Sequence, residues 1–191
     1  MKTKILSLFA AVFMVVGLSA AFAHNHEGKM DLENTIYLDL KDGRVVIDLA
    51  EDLAPNHIAR IKELTREGFY NGVVFHRVID GFMAQTGDPT GTGRGGSGKN
   101  IDAEFSNVPF KRGTVGMARA QSPNSADSQF FINFVETPFL NGQYTVIGHV
   151  VSGMEYVDNI TRGEPPANPD KVIKMQVAAD AERMEMMKSA Q

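Results

Sequence analysis

The chain has 191 residues, 43% of them hydrophobic and 22% charged, with a formal net charge of −4 and no cysteine. That length fits one ordinary domain, and the hydrophobic fraction excludes a wholly disordered or fibrous chain. The empty cysteine column excludes disulfide scaffolds, thiolate metal sites and thiol catalysis, and the acidic balance argues against a nucleic-acid binder that works by broad charge neutralisation.

The first 23 residues read as a separate object. Lys2 and Lys4 precede an apolar stretch from Ile5 to Val16, and Ala21-Phe22-Ala23 gives a small-residue exit. A membrane anchor needs about 20 apolar residues, which this segment nearly reaches, but the small-residue exit favours the reading as a cleaved secretory signal peptide. The expected product is exported to the periplasm, is not held in a membrane, and starts at His24. Its new end, His24-Asn25-His26, would combine a free amine with histidine in third position, a nitrogen set that suits Cu²⁺ or Ni²⁺. The alternative for these residues is a plain polar tip. Residues 24–33 are expected to form a flexible lead-in.

From Asn34 the pattern alternates. Ile36, Leu38 and Leu40 share one face, Asp42-Gly43 supplies a tight turn, and Val45, Ile47 and Leu49 resume the alternation. This predicts a β-hairpin with one buried face. Pro55 opens a helix that ends at Gly68, with Ile58, Ile61 and Leu64 as its apolar stripe. Strand-like runs follow at 73–79, 82–85, 114–118, 130–134, 146–151 and 172–177. A second helix is predicted from about Gly153 to Thr161, striped by Met154, Val157 and Ile160. Many short strands with two helices predict a mainly β domain over residues 34–178, a closed or nearly closed antiparallel barrel. Residues 179–191 read as a loose helical tail.

Residues 90–98, TGTGRGGSG, hold five glycines in nine positions. Gly91, Gly93 and Gly96 fit G-x-G-x-x-G, and Gly93 through Lys99 nearly fits a phosphate-binding P-loop. Both motifs require a helix directly after the loop, and position 100 is Asn where the P-loop needs Ser or Thr. The context predicts an irregular loop whose glycines supply unusual backbone conformations.

The block Phe75-His76-Arg77-Val78-Ile79, Gly81-Phe82-Met83, Gln85 and Gly87 to Gly93 resembles the cyclophilin signature. Gly116-Met117-Ala118, Ser128 to Ile132, Phe139 to Gly142 and Val146 to Val150 follow the same family in the same order. The likeness runs from about Asn34 to Val177, and its nearest form is the periplasmic bacterial branch of the cyclophilin-type peptidyl-prolyl cis-trans isomerases. The resemblance implies a closed eight-stranded antiparallel β-barrel capped by two α-helices. It implies an isomerase that rotates X-Pro bonds in unfolded or extended polypeptides, without a cofactor, with proline-containing clients as partners; nothing in the sequence calls for more than a monomer.

The resemblance also assigns residues. Arg77 matches the catalytic arginine, with Phe82 and Gln85 beside it. Met83, Phe131 and Leu140 complete the wall around the substrate proline, and Ala118 with the backbone of Arg119 forms the groove floor. Phe139 stands where the family often has Trp, and Tyr144 where it often has His. Loss of the indole N–H implies weak cyclosporin binding. The rival reading of the same residues is a proline-peptide receptor without turnover. A binding role alone would not demand Arg77.

The chemistry suits these residue types. Rotation about a peptide bond meets a barrier of about 18–20 kcal/mol because the C–N bond has double-bond character. The two planar forms of an X-Pro bond are close in energy, so the catalyst has to favour the twisted state over both. In that state the proline nitrogen regains a lone pair. A permanently charged arginine can donate to it, and no proton is transferred. His76, beside Arg77, therefore reads as packed or hydrogen-bonded rather than as an acid or base. Phe75, Phe105, Phe110, Phe130 and Phe134 read as core or structural, and Phe131 points away from Phe130 by strand alternation.

Overall fold

The computed structural model describes residues 30–190. Eight strands carry the fold: β1 (Thr35–Leu40), β2 (Gly43–Leu49), β3 (Arg77–Ile79), β4 (Met83–Thr86), β5 (Thr114–Met117), β6 (Phe130–Asn133), β7 (Val146–Ser152) and β8 (Lys174–Val177). They form one antiparallel sheet in the order β3-β4-β6-β5-β7-β2-β1-β8. The predicted hairpin is β1 and β2, paired from Thr35 opposite Asp48 to Leu40 opposite Gly43. Its alternation is the reason it forms one wall: Ile36, Leu38, Leu40, Val45, Ile47 and Leu49 all enter the main core. Val115, Phe130, Ile132, Ile147 and Met175 meet them from the other strands.

The sheet curls into a half-barrel, and full closure is a point on which the sequence reading needs correction. β3 and β8 are the ends of the strand order, joined to each other by no ladder. Two single bridges, Val74–Lys171 and Val78–Gly163, and a hydrogen bond from the Gly72 N–H to the Val172 carbonyl span the gap. The run expected as a strand over 73–79 is regular only from Arg77. The chain facing it contains Pro165, Pro166 and Pro169, which have no N–H to give to a ladder.

Three helices accompany the sheet: α1 (Pro55–Arg66), α2 (Met154–Asp158) and α3 (Ala178–Ser189). α1 buries Ile58, Ile61 and Leu64 as its stripe predicts. Ala54 offers no side-chain cap. The open N–H groups of Asn56 and His57 instead meet the distant Glu104 carboxylate at 3.1 and 3.0 Å. With Glu104 turned toward the helix, its neighbour Phe105 faces solvent and is 41% exposed, which overturns the core half of its reading as core or structural. Phe75, Phe110, Phe130 and Phe134 are buried. α2 is shorter than the predicted 153–161, although Val157 and Ile160 are both buried. α3 takes the tail and buries only Ala178 and Ala181.

The glycine-rich segment follows the end of β4 by three residues, but no helix leaves it. Its N–H groups are already in use. The buried Asp88 carboxylate accepts from Thr90 at 2.7 Å, Gly93 at 2.6 Å and Gly95 at 3.1 Å. Asp127 accepts from Ser97 at 3.0 Å and Gly98 at 2.8 Å. Burial alone would raise the Asp88 pKa, but these bonds and that of the Thr90 hydroxyl outweigh it and hold the carboxyl below the usual carboxylate range. Two internal carboxylates thus occupy the donors that a nucleotide phosphate would need.

Candidate active site

Four adjacent strands place one cross-sheet row of residues. Arg77 on β3 stands opposite Gln85 on β4, Gln85 opposite Phe131 on β6, and Phe131 opposite Gly116 on β5. Residues opposite one another in antiparallel strands share a face. The alternate positions Val78, Ala84, Ile132 and Val115 go to the main core. Met83, Phe131, Phe110, Leu140 and Val146 form a second, smaller cluster on the other face. Gly116 is required there: an added Cβ would fall 2.5 Å from Phe110 Cε1 and 2.7 Å from Phe131 Cζ. Without it the two rings stack with centroids 5.8 Å apart.

On this face lies a pocket of about 100 Å³ whose lining includes Arg77, Phe82, Met83, Phe131 and Leu140. Gln85, Ala118, Arg119 and Tyr144 complete its rim. Nine of the ten pocket and groove residues singled out in the sequence therefore meet at one place. The tenth, Phe139, is 64% exposed and tilts against Phe82 with centroids 5.6 Å apart. It sits in a short 3-10 turn, Pro138–Leu140, that sends Leu140 inward. Tyr144 meets Phe131 edge-on at 6.0 Å. The Arg77 guanidinium carbon lies 6.0 Å from the centre of the Phe82 ring.

A second, larger groove of about 420 Å³ adjoins the pocket and shares Gln85, Ala118 and Arg119 with it. Arg119 spends its donors on the protein itself. It bonds the Gln143 carbonyl through Nε at 3.2 Å and Nη2 at 3.1 Å, and the Ala120 and Gln121 carbonyls through Nη1. Its plane rests 4.6 Å from the Tyr144 ring centre. Arg119 thus ties its own segment to the one that carries Gln143 and Tyr144.

The sequence reading missed Gln129 as a functional residue, although it quoted the motif that contains it. The Gln85 side-chain amide donates to Gln129 Oε1 at 2.8 Å, and Gln129 Nε2 donates to the Gly95 carbonyl at 2.8 Å. Gln85 is therefore held by the glycine loop, which Asp88 folds. An amide carries two N–H donors, so one on Gln85 is left for a ligand.

His76 lies beneath that loop, where a Cβ on Gly93 would meet its Cδ2 at 3.4 Å. Its ring is buried, which pushes its pKa below the ordinary 6.5. The unfolded chain then binds a proton that the folded chain refuses. Stability should rise with pH toward the unfolded pKa and be fully present above it. The urea midpoint of the wild type is expected to rise between about pH 5 and pH 7.5, and that of His76→Gln to rise less. Equal slopes for the two proteins would contradict this account. His24 and His26, the pair considered for Cu²⁺ or Ni²⁺, lie outside the described residues, as does the segment read as a signal peptide.

Comparison with known proteins agrees with this geometry. The family model described as "Cyclophilin type peptidyl-prolyl cis-trans isomerase/CLD" matches residues 35–178. A probable peptidyl-prolyl cis-trans isomerase of Brucella suis is 53% identical over 191 residues, covering 91% of this chain and 96% of that protein. Peptidyl-prolyl cis-trans isomerase B of Bacillus subtilis is 42% identical, covering 68% of this chain and 92% of its own. Among solved structures, the cyclophilin AquaCyp293 of Hirschia baltica superposes with a TM-score of 0.73 at 31% identity, covering 79% of this chain and 76% of that one. A Cryptosporidium parvum cyclophilin-type isomerase, crystallised in the presence of the dipeptide Ala-Pro, superposes with a TM-score of 0.70 at 29% identity, covering 75% and 98%. The chain that sets Arg77 beside a small pocket walled by Phe82, Met83, Phe131 and Leu140 thus belongs to the cyclophilin-type peptidyl-prolyl cis-trans isomerase family.

Proposed function

We propose that Arg77, Phe82 and Gln85 carry the isomerisation and that the pocket behind them seats the substrate proline ring. The observation that carries this reading is the row Arg77–Gln85–Phe131, which sets a permanent cation at the mouth of an apolar pocket. Phe82, Met83, Phe131 and Leu140 grip the ring while the residue before proline stays outside. Twisting the bond exposes the nitrogen lone pair, and an Arg77 N–H donates to it. Aromatic walls exclude water and strengthen that bond. The free Gln85 amide N–H follows the moving carbonyl. The adjoining groove, floored by Ala118 and the backbone of Arg119, takes the extended chain on the other side of the bond. The test is cis–trans exchange in a proline peptide, with and without the protein. No acceleration by the wild type would overturn the reading.

The reading extends to a setting. The basic start, apolar run and Ala-x-Ala exit of residues 1–23 support export by a cleaved signal peptide to the periplasm, where the clients are unfolded exported chains and the isomerase assists their folding. The protein works there as a monomer. It binds cyclosporin weakly, because Phe139 has no ring N–H to donate. Phe139→Trp is expected to tighten cyclosporin binding by about 2- to 13-fold, the worth of one neutral hydrogen bond. Calorimetric titration checks this, and unchanged affinity would contradict it.

A further inference from the structure

We propose that Glu164, a residue no motif singles out, is a positioning residue for Arg77. The proposal rests on the reading of Arg77 as the donor to the proline nitrogen. Val78 and Gly163 exchange both of their backbone hydrogen bonds, each 2.8 Å long. In an antiparallel pair the next residues outward are neighbours across the strands, so Arg77 faces Glu164 on one side as it faces Gln85 on the other. The Arg77 Nε–H donates to Glu164 Oε2 at 3.1 Å. That bond uses one of the five guanidinium donors and leaves the four terminal ones for the pocket.

The loop that offers Glu164 is itself held. Gly163 has φ +150°, and an added Cβ would fall 2.4 Å from Pro166 Cα, so the turn is packed against itself. Asp170 ties its base by accepting from the Thr161 N–H at 2.8 Å and hydroxyl at 2.9 Å, and it pairs with Lys41 at 2.9 Å. The Arg77 and Glu164 side chains are 41% and 52% exposed. An ion pair so exposed contributes little to folding. What it does is restrict an arginine that would otherwise sample many rotamers at the mouth of the pocket. Glu164 touches no substrate; it acts by fixing the plane from which Arg77 donates.

The test compares Glu164→Ala and Glu164→Gln, each with Arg77 present and with Arg77→Ala, by cis–trans exchange of a proline peptide with kcat and KM separated. Glu164→Ala is expected to lower kcat by about 3- to 10-fold with KM nearly unchanged, the scale of one lost hydrogen bond. Glu164→Gln restores the rate, because its carboxamide oxygen still accepts the Nε–H. In the Arg77→Ala background, Glu164→Ala changes nothing further. The Arg77 Nε–H resonance loses its protection from solvent exchange in Glu164→Ala and keeps it in Glu164→Gln. An unchanged or faster Glu164→Ala enzyme, a glutamine variant as slow as the alanine one, or a loss that persists without Arg77 would overturn the proposal. Should Arg77→Ala alone leave the rate intact, the reading of Arg77 fails instead.

Discussion

Replacing Arg77 by alanine is expected to lower kcat/KM for a proline peptide by roughly 10- to 150-fold, with little change in stability. The magnitude is that of a hydrogen bond from a charged donor, about 1.5–3 kcal/mol, at 1.36 kcal/mol per factor of ten. The stability should hold because the side chain is 41% exposed and its ion pair with Glu164 is a surface one. The loss should fall mainly on kcat, since the bond is made only when the nitrogen lone pair appears. Arg77→Lys should recover little, because an ammonium lacks the planar fork and the Nε–H that Glu164 accepts. A loss confined to KM would mean that Arg77 binds the planar ground state instead. The one bond also falls short of the whole acceleration, which leaves a large share to the grip on the ring.

Asp88→Asn should cost about 2–4 kcal/mol of stability and weaken substrate binding, although Asp88 touches no ligand. The carboxylate accepts from Thr90, Gly93 and Gly95, and it is buried. An asparagine oxygen cannot serve all of these donors, and its NH₂ points more donors at donors. The loop would then release the Gly95 carbonyl that holds Gln129, and Gln129 would release Gln85. Urea unfolding checks the first effect and KM the second. A variant as stable as the wild type would show that water replaces the carboxylate. Because the Asp88 carboxyl pKa is depressed, its contribution to stability is present above the unfolded value near 3.8 and is lost as pH falls below it.

Much of the site was legible in the sequence because the chain carries the motifs of the cyclophilin family, which assign its residues position by position; alternation added which of two neighbouring rings faces the pocket. Phe130 and Phe131 divide between core and pocket as a period of two requires. The hairpin and α1 were equally legible, from the Asp42-Gly43 turn and the Ile58–Ile61–Leu64 stripe. What escaped depends on contacts between distant segments. Glu104 caps α1 from far along the chain and turns Phe105 outward. Glu164 reaches Arg77 only because Gly163 bridges Val78. Arg119 is held by the carbonyl of Gln143, 24 residues further on. No local pattern announces such pairs. The open seam between β3 and β8 escaped for a related reason, since three prolines in the facing segment act on a strand they do not adjoin in sequence.

The two-faced row of strands has a consequence for how such a protein can change. Along β6, Phe131 lines the pocket while Phe130 and Ile132 belong to the main core. On β4, Met83 and Gln85 line the pocket while Ala84 does not. Ligand choice and thermal robustness are therefore written on interleaved positions of the same few residues. A lineage can retune one without spending the other, provided the strands keep their register. A slip of a single residue would exchange the two, and for that reason the turns that set the register are as much a part of the enzyme's specificity as the side chains that touch its substrate.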